Sequence, residues 1–547
     1  MVRYTPETQL SLEMFETPFN AVLSPDNRWV KLSKIVPWDQ FASIYMRKMS
    51  SNMGRIGVSP RVVLGALLIK HKEKLDDRGV IASIQENIYM QYFVGLKGFQ
   101  TEPIFDPSLF VTIRKRIGAD MFDTLNIEIL KWLTSEEDKK HITRNKKHFT
   151  NRKDNWDQNS ENQISGEDLN QAKRNGADES AQSEDIPNRG KLQLDATVAD
   201  QYITYPTDTK LLNQSRKQCE KIIDNLYLKL KETGRIDKKP RTYRRVLNKE
   251  YLSFSKKKRK SKSQIRKTNR LFLEALKRDI AHINNMLDEF TKFPLKMNEQ
   301  RMFWIVQLVY AQQKQMYDTK THSIANRIVS IFQPHVRPIP RGKEKSQIEF
   351  GSKLGVSLDN GISRINTLSW EAYNEGGDLI KQVEAYKDLH GYYPELVQVD
   401  GIYTTKVNRA WCKERGIRLT AKPLGRKRTK QPMSYYQKRK QKKERAERNA
   451  IEGKFGQGKN GYNLNKIRAR LMNTSESWIA AIFFIMNLVR LEKIGFILFD
   501  FFNKLTCLWR YMNNTIGQIK FRDLFSKSCI CNHQKYYDNL RLSINVC

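Results

Sequence analysis

The chain has 547 residues, too many for one ordinary domain, and this length predicts two to four folding units. Its 97 Lys and Arg against 59 Asp and Glu give a formal net charge of +38, whereas solubility alone needs a charge of only ~2–8. A polyanion is therefore the expected partner, nucleic acid before a membrane surface, and six cysteines in so long a chain exclude a disulfide-stapled scaffold.

The apolar segments and the cysteines predict a soluble, cytoplasmic protein. No apolar run follows the first methionine, so we predict no signal peptide. The most apolar stretch, Trp478 to Val489, holds twelve residues before the next charge, too few to span a bilayer, and predicts a buried helix. Near the C-terminus, Cys529, Cys531 and His533 lack the second ligand pair of a zinc site.

Residues 1–134 are predicted to form a helical N-terminal domain. Short helices are expected to start at Pro60, near Val80 and after Ser108. The basic residues of the third helix are Arg114, Lys115 and Arg116. Three helices ending in a basic one indicate a DNA-binding bundle with Arg114 and Arg116 as phosphate contacts, although a purely structural bundle fits the pattern equally well.

Residues 135–190 have a different character, because they are rich in Asn, Asp, Glu, Gln, Ser and Lys and poor in aliphatic side chains. Such a segment cannot bury enough apolar surface to offset the entropy that is lost when it becomes ordered. We predict a disordered polar linker.

Strand and helix patterns alternate in the rest of the chain. Apolar and polar residues alternate at the start of residues 191–207, which is typical of a strand. Residues 208–320 predict a helical insertion, whose basic cluster at 256–260 suits either phosphate binding or a solvated tip. Residues 321–494 return to strands and helices, with a strand-like apolar run at 328–332 and a hairpin turn signal at 359–361. The pattern predicts a mixed α/β sheet that is interrupted by the insertion.

Three acidic residues have the character that metal-dependent phosphodiester chemistry requires. Asp195 lies on the polar side of the first strand, and Asp400 ends a short apolar strand. Glu452 lies in a helical segment. Mg²⁺ prefers oxygen ligands, and two ions held by converging carboxylates activate the attacking oxygen and stabilise the leaving one. Spacing alone does not select this trio, because other acidic residues fit the same argument: Asp200, Asp208, Asp359, Glu371 and Asp378.

Cations flank the third acidic residue. Arg448, Glu452 and Lys459 fall on nearly one face if the helix continues, which would set a metal ligand between two phosphate-binding groups. The alternative is an ordinary helix salt bridge, worth only ~0.3–0.5 kcal/mol. A basic run precedes this helix and either follows a DNA backbone or forms a disordered loop. It includes Arg426, Lys427 and Arg428.

These motifs resemble those of the bacterial DDE-type insertion-sequence transposases. Residues 194–197 look like the first-aspartate strand of that family, and residues 399–403 look like the second. Arg448, Glu452 and Lys459 keep the gaps of the family's Tyr-Arg-Glu-Lys signature. The tyrosine of that signature is replaced here by Arg445.

The segment from Pro60 to Ile117 is similar to the helical domain that precedes the catalytic core in InsH-like transposases. The resemblance implies a ribonuclease-H-like core in which Asp195, Asp400 and Glu452 are catalytic and hold two Mg²⁺ or Mn²⁺ ions. It also implies double-stranded DNA as the partner, both the inverted repeats of an element and the target, and a homodimer that pairs two ends.

Two other functions are compatible with the sequence. A nuclease of the same fold would cut DNA without joining it, and a non-catalytic DNA-binding protein from a decayed element would do neither. Residues 495–547 are rich in aromatic residues and hold three of the six cysteines, and we assign them no role.

Overall fold

A computed structural model describes residues 15–18, 22–47, 49, 57–153, 187–340, 348–421, 434–491 and 493. Three of the sequence-based predictions lie outside these residues in whole or in part. They are the basic run with Arg426, Lys427 and Arg428, the part of the predicted linker from 154 to 186, and the C-terminal tail.

The N-terminal region is helical, as predicted. Its helices are α1 (Arg28–Ile35), α2 (Trp38–Met46), α3 (Pro60–Lys72), α4 (Asp77–Glu86), α5 (Ile88–Phe93) and α6 (Leu109–Lys153). Helix α6 changes direction at Gly118, whose φ of 66° a residue with a side chain rarely adopts. The helix continues into the segment that was predicted to be linker, because that segment begins with strong helix formers such as Glu and Lys.

The predicted insertion consists of four helices between the first two strands. Strand β1 (Lys191–Asp200) precedes them, and they are α7 (Asp208–Glu232), α8 (Arg244–Lys256), α9 (Lys262–Asp288) and α10 (Met297–Asp318). They bury an apolar core of their own, in which Leu226, Phe272 and Val306 are fully enclosed. The basic residues 256–260 lie exposed between α8 and α9.

One mixed sheet forms the centre of the molecule. Its remaining strands are β2 (Arg337–Pro340), β3 (Ile348–Asp359), β4 (Ile362–Ser369), β5 (Leu396–Gln398) and β6 (Arg418–Leu419). The order is β2-β3-β1-β5-β6, with β4 also paired to β3; β3 runs antiparallel to β1, and β5 and β6 run parallel to it. Asn360 and Gly361 take positive φ angles in the tight β3–β4 turn, as the turn signal predicts.

Helices cover both faces of the sheet. On one face, Leu192 and Leu194 pack against α11 (Leu379–His390), and α12 (Lys406–Glu414) lies alongside. The opposite face contacts two helices, the second of which carries Glu452. These are α13 (Tyr435–Glu447) and α14 (Asn449–Gly456), which continues into a π-helical turn (Gln457–Gly461). The architecture is therefore ribonuclease-H-like, with a helical insertion after the first strand.

The last described helix, α15 (Met472–Leu491), joins the N-terminal region to the sheet. It is long and apolar enough to cross a bilayer by composition, but 83% of its apolar window is buried inside the protein. The Asn487 amide bonds both Asn126 of α6 and Ser363 of β4. The N-terminal helices and the sheet consequently share one continuous apolar core.

Candidate active site

Asp195 lies in β1, and Asp400 lies two residues beyond the end of β5, the parallel strand next to β1. The β1–β5 pairing matches Gln193 with Gln398, and the same offset continued by two residues matches Asp195 with Asp400. The Gln193 and Gln398 side chains bond each other at 2.7 Å, so they leave the sheet on one face. Side chains two positions further on leave it on that face as well. Because adjacent strands lie about 4.8 Å apart, the two aspartates start from adjacent backbone positions.

Asp195 is the more enclosed of the two aspartates. Its Oδ1 accepts a bond from the Ala196 amide at 2.8 Å, and its Oδ2 lies 3.5 Å from Nη1 of Arg448. Burial raises the pKa of the Asp195 carboxyl; the Ala196 amide and Arg448 oppose this effect, whereas Glu375 and Glu452 add to it. The fields of three acidic groups therefore overlap at this point of β1, which favours a bound cation.

Glu452 faces the same point from α14. Ile451 and Phe455 of that helix are buried in the shared core and fix it against β1. Nη2 of Arg448 binds Oε1 of Glu452 at 2.8 Å. One guanidinium thus connects Asp195 to Glu452, and this second contact distinguishes the pair from a simple i,i+4 bridge.

Lys459 does not lie beside Glu452. The π-helical turn places its Nζ 3.4 Å from Oε1 of Glu349 and 3.9 Å from Oδ2 of Asp200. Helix α14 therefore runs along β1, with Arg448 near Asp195 and Lys459 near the strand's end. A π-turn within a helix is frequent at functional sites, because it redirects a side chain.

Asp400 is exposed at the end of β5. Its backbone is still extended, with φ −81° and ψ 168°, and its Oδ1 accepts a bond from the Gly401 amide at 2.6 Å. The chain then turns sharply, as the glycine predicts, and Tyr403 becomes fully buried beneath it.

Glu375 is an acidic residue near Asp195 that no sequence pattern predicts. It lies in a short turn whose Gly376 abuts the Asp400 turn so closely that a Cβ would stand 2.6 Å from the carbonyl oxygen of Ile402. Asn408 ties the two turns together by donating to the carbonyls of Gly376 and Tyr403 at 2.7 and 2.8 Å. Glu375 itself forms an ion pair with Lys353 of β3.

The donor set suits hard divalent cations, since it consists of carboxylate oxygens. Across the residues that the structure describes, no three acidic, histidine or cysteine side chains stand close enough to hold a metal ion as they are. Asp400 and Glu452 are exposed, however, and exposed side chains change rotamer readily. The strand alignment and the overlapping acidic fields fit a metal site at this position.

Arg114, predicted as a phosphate contact, is instead part of the core. Its guanidinium binds both carboxylate oxygens of Asp77, at 2.9 and 2.8 Å, and its side chain is only 6% exposed. Lys70, fully buried, binds the same carboxylate at 2.6 Å and lies 3.5 Å from the centre of the Trp478 ring. A side chain enclosed in this way cannot reach DNA, so this prediction is corrected. Arg116, two residues further on, is exposed.

A basic surface borders the carboxylates. Helix α13 ends at Glu447, directly before Arg448, and its exposed residues include Tyr435, Tyr436, Lys438, Arg439, Lys440, Lys442 and Lys443. Its C-terminal end is held to the sheet, because Gln398 donates to the carbonyl of Glu444 and Lys191 binds Glu447 at 2.8 Å. The helix therefore projects its cations from a fixed base beside Asp195.

Comparison with known proteins gives two family matches. The model of the transposase DDE domain matches residues 397–489, which include Asp400 and Glu452. The model of a second transposase domain, DUF772, matches residues 17–116, from the start of the described N-terminal region into α6. Transposases with a DDE domain normally use divalent metal ions.

A curated protein is similar to part of the chain. The chain is 30% identical over 113 residues to an uncharacterized protein, ORF8 in the nfe locus of Rhizobium meliloti. The match covers 21% of this chain and 54% of that protein, so the chain spans about half the length of the relative. No solved structure matches the chain. Two parts of the chain, residues 17–116 and 397–489, are thus similar to transposase domains, and these matches indicate an insertion-sequence DDE transposase.

Proposed function

We propose that this chain cuts DNA at the inverted repeats of a mobile element and joins the cut ends to target DNA. The observation that carries the proposal is the arrangement of three acidic residues. The β1–β5 register, continued two residues beyond the end of β5, matches Asp195 with Asp400, and Arg448 links Asp195 to Glu452. Strand ends of open α/β sheets are the usual place for ligand-binding groups.

In this proposal Asp195, Asp400 and Glu452 hold two Mg²⁺ or Mn²⁺ ions. When bound, such ions lower the pKa of an attacking hydroxyl and stabilise the oxygen that leaves. The acidic side chains would supply the negative charge that such ions need.

The reaction has two steps at phosphorus. Water attacks the phosphodiester at the element end, the bond to the 3′-oxygen breaks, and the released 3′-hydroxyl takes up a proton. That hydroxyl then attacks a target phosphodiester, a new 3′ bond forms, and a target 3′-oxygen leaves. Arg448 binds the phosphate next to the bond that breaks, and Lys459 binds the backbone further along β1. Fixed charges of this kind act by positioning the groups and by stabilising the developing charge.

Double-stranded DNA follows the basic surface. Exposed cations of α13, the tip at 256–260 and Arg116 are its contacts among the described residues. Arg426, Lys427 and Arg428, which precede α13 in the sequence and lie outside the described residues, are proposed as further phosphate contacts. Two copies of the chain pair two element ends, and the protein works in the bacterial cytoplasm on the nucleoid.

Replacing Asp400 by Asn tests the proposal. Asp400→Asn keeps the size of the side chain but removes a charged ligand, so cleavage in Mg²⁺ or Mn²⁺ should be abolished while binding to DNA with candidate element ends persists. Asp388→Asn makes the same change on an exposed position of α11 and should leave cleavage unaffected. Strand cleavage by Asp400→Asn at the wild-type rate would contradict the proposal.

A second assay separates a transposase from a nuclease of the same fold. DNA that already ends in a free 3′-hydroxyl at the element end is mixed with target DNA, Mn²⁺ and the protein. We expect joined products on a sequencing gel. Cleavage of uncut ends without joining of precut ends would identify a nuclease instead.

A further inference from the structure

Arg448 makes ion pairs with two residues that the proposed function assigns to a metal site. Its Nη1 lies 3.5 Å from Oδ2 of Asp195, and its Nη2 lies 2.8 Å from Oε1 of Glu452. Its side chain is 21% exposed, against 18% for Asp195 and 53% for Glu452. The guanidinium therefore occupies the charged gap between the strand and the helix, with one side open to solvent.

A guanidinium and a divalent ion are alternative partners for the same oxygens. A bound Mg²⁺ lies about 2.0–2.1 Å from its ligand oxygens, so on Oδ2 of Asp195 and Oε1 of Glu452 it would take the electron pairs that now face the guanidinium. The two positive charges would also repel each other at short range. Binding of the ion to Asp195 and Glu452 consequently requires Arg448 to move away.

The surroundings supply a destination for the displaced side chain. Arg448 is at the junction of α13 and α14, and the exposed cations of α13 lead directly to it. DNA bound along α13 would present phosphates to Arg448, and a guanidinium binds phosphate through two parallel hydrogen bonds. Lys353, the cation paired with Glu375, has no such exit, because it is only 16% exposed and also donates to the carbonyl of Tyr373.

We propose that Arg448 is an internal counterion that competes with the divalent metal in the absence of DNA and that DNA withdraws it from the carboxylates. This proposal rests on the metal site of the proposed function. Metal and DNA then bind cooperatively, and linkage requires each to strengthen the other by the same factor. The chain loads its metal ions mainly when a phosphate backbone is present.

The proposal is tested by measuring Mn²⁺ affinity of the full chain, from the electron paramagnetic resonance signal of free Mn²⁺. Measurements are made with and without a duplex of arbitrary sequence at low salt, since backbone contacts do not depend on sequence. Mn²⁺ bound by the duplex alone is subtracted. For the wild type we expect weak binding that DNA tightens at least about fivefold, the lower end of common coupling factors.

Arg448→Gln removes the competing charge. It should bind Mn²⁺ at least about fivefold more tightly than the wild type without DNA, and DNA should no longer alter that affinity. Arg448→Lys keeps the charge but cannot bridge two carboxylates, so its DNA-free affinity should lie between the two. Arg439→Gln removes one charge from the exposed surface of α13 and should leave DNA-free Mn²⁺ binding unchanged. Thermal unfolding of each variant verifies that it is folded.

A structural role for Arg448 gives the opposite result, because a side chain that only holds the carboxylates in place would weaken Mn²⁺ binding when removed. Equal or weaker DNA-free Mn²⁺ binding by Arg448→Gln therefore overturns the proposal. Asp195→Asn separates this failure from failure of the metal site. If Asp195→Asn weakens Mn²⁺ binding while Arg448→Gln does not tighten it, the site stands and the role of Arg448 is wrong. If Asp195→Asn has no effect, the metal site itself is wrong.

Discussion

Two arginines that the sequence presents as phosphate contacts have opposite environments. Arg114 is enclosed with Asp77 and Lys70 under the Trp478 ring, whereas Arg448 lies between Asp195 and Glu452 at the solvent boundary. Charges removed from water interact strongly and cannot be exchanged without breaking the core. Charges at the boundary interact weakly enough to change partners. Solvent access, rather than residue type, separates a structural ion pair from one that is available for chemistry.

The first test of this difference neutralises Asp195, the aspartate that Arg448 contacts in the active site. Asp195→Asn should reduce the cleavage rate at least about a thousandfold, the scale of a single strong electrostatic contribution to catalysis. Its stability should hardly change, because burial already disfavours the charge of Asp195. Gel assays of cleavage and urea unfolding of the same preparation measure both. Unchanged cleavage by Asp195→Asn would remove this cluster from catalysis.

The second test replaces Arg114, one of the two buried cations that bind Asp77. Arg114→Leu removes the buried guanidinium that binds both carboxylate oxygens of Asp77 and leaves Lys70 as the remaining cation on that carboxylate, so we expect the free energy of unfolding to fall by about 3 kcal/mol. The control, Arg116→Leu, changes an exposed arginine two residues away and should cost less than about 0.5 kcal/mol. Urea midpoints compare the two. Equal midpoints would mean that the Arg114 cluster contributes nothing to the fold.

The third test lowers the pH until the Asp77 carboxylate becomes protonated. Burial by itself would raise the pKa of Asp77, but the hydrogen bonds and charges of Arg114 and Lys70 outweigh it and lower that pKa to about 2. A carboxyl with a depressed pKa in the folded state stabilises the fold above its unfolded pKa, near 3.8, and loses that contribution as pH falls toward 2. The contribution is about 2 kcal/mol.

This pH effect is measured as the difference in unfolding free energy between wild type and Asp77→Asn. The difference should be largest above pH 4 and should shrink between pH 4 and pH 2. A difference that stays constant over this range would contradict the assigned ion pairs.

The last test concerns Glu375, whose replacement should have the smallest effect of these substitutions. Glu375→Gln removes a negative charge next to Asp195 without removing a proposed metal ligand, so Mn²⁺ affinity should fall by about tenfold or less. Glu371→Gln, four residues earlier and paired with Arg337 at the surface, is the matched control and should leave the affinity unchanged. An effect of Glu375→Gln as large as that of Asp195→Asn would make Glu375 a ligand.

Local patterns predicted the elements but not how they meet. The alternation around Asp195 and the Asn360-Gly361 turn signal depend on neighbouring residues, and both predictions are confirmed. The alignment of Asp195 with Asp400 depends on the register of two strands that lie far apart in the chain, which no local pattern encodes. The approach of Glu375 has the same origin, since it depends on the contact between Gly376 and the carbonyl of Ile402.

The errors have one physical cause as well. The local sequence around a basic residue on a short helix does not show whether the side chain faces DNA or the core. Arg114 is buried by contacts with Asp77 and Trp478, and both of these residues lie on other helices. The apolar run at 328–332 is a strand by composition, yet it packs as irregular chain against α7 and α10. Tertiary packing decides both outcomes.

The most direct test of the central claim is anomalous X-ray diffraction from crystals of the chain with duplex DNA and Mn²⁺. We expect manganese peaks about 2 Å from carboxylate oxygens of Asp195, Asp400 and Glu452, and we expect the Arg448 guanidinium to bind a DNA phosphate. Manganese bound elsewhere, with Arg448 still joining Asp195 to Glu452, would contradict that claim.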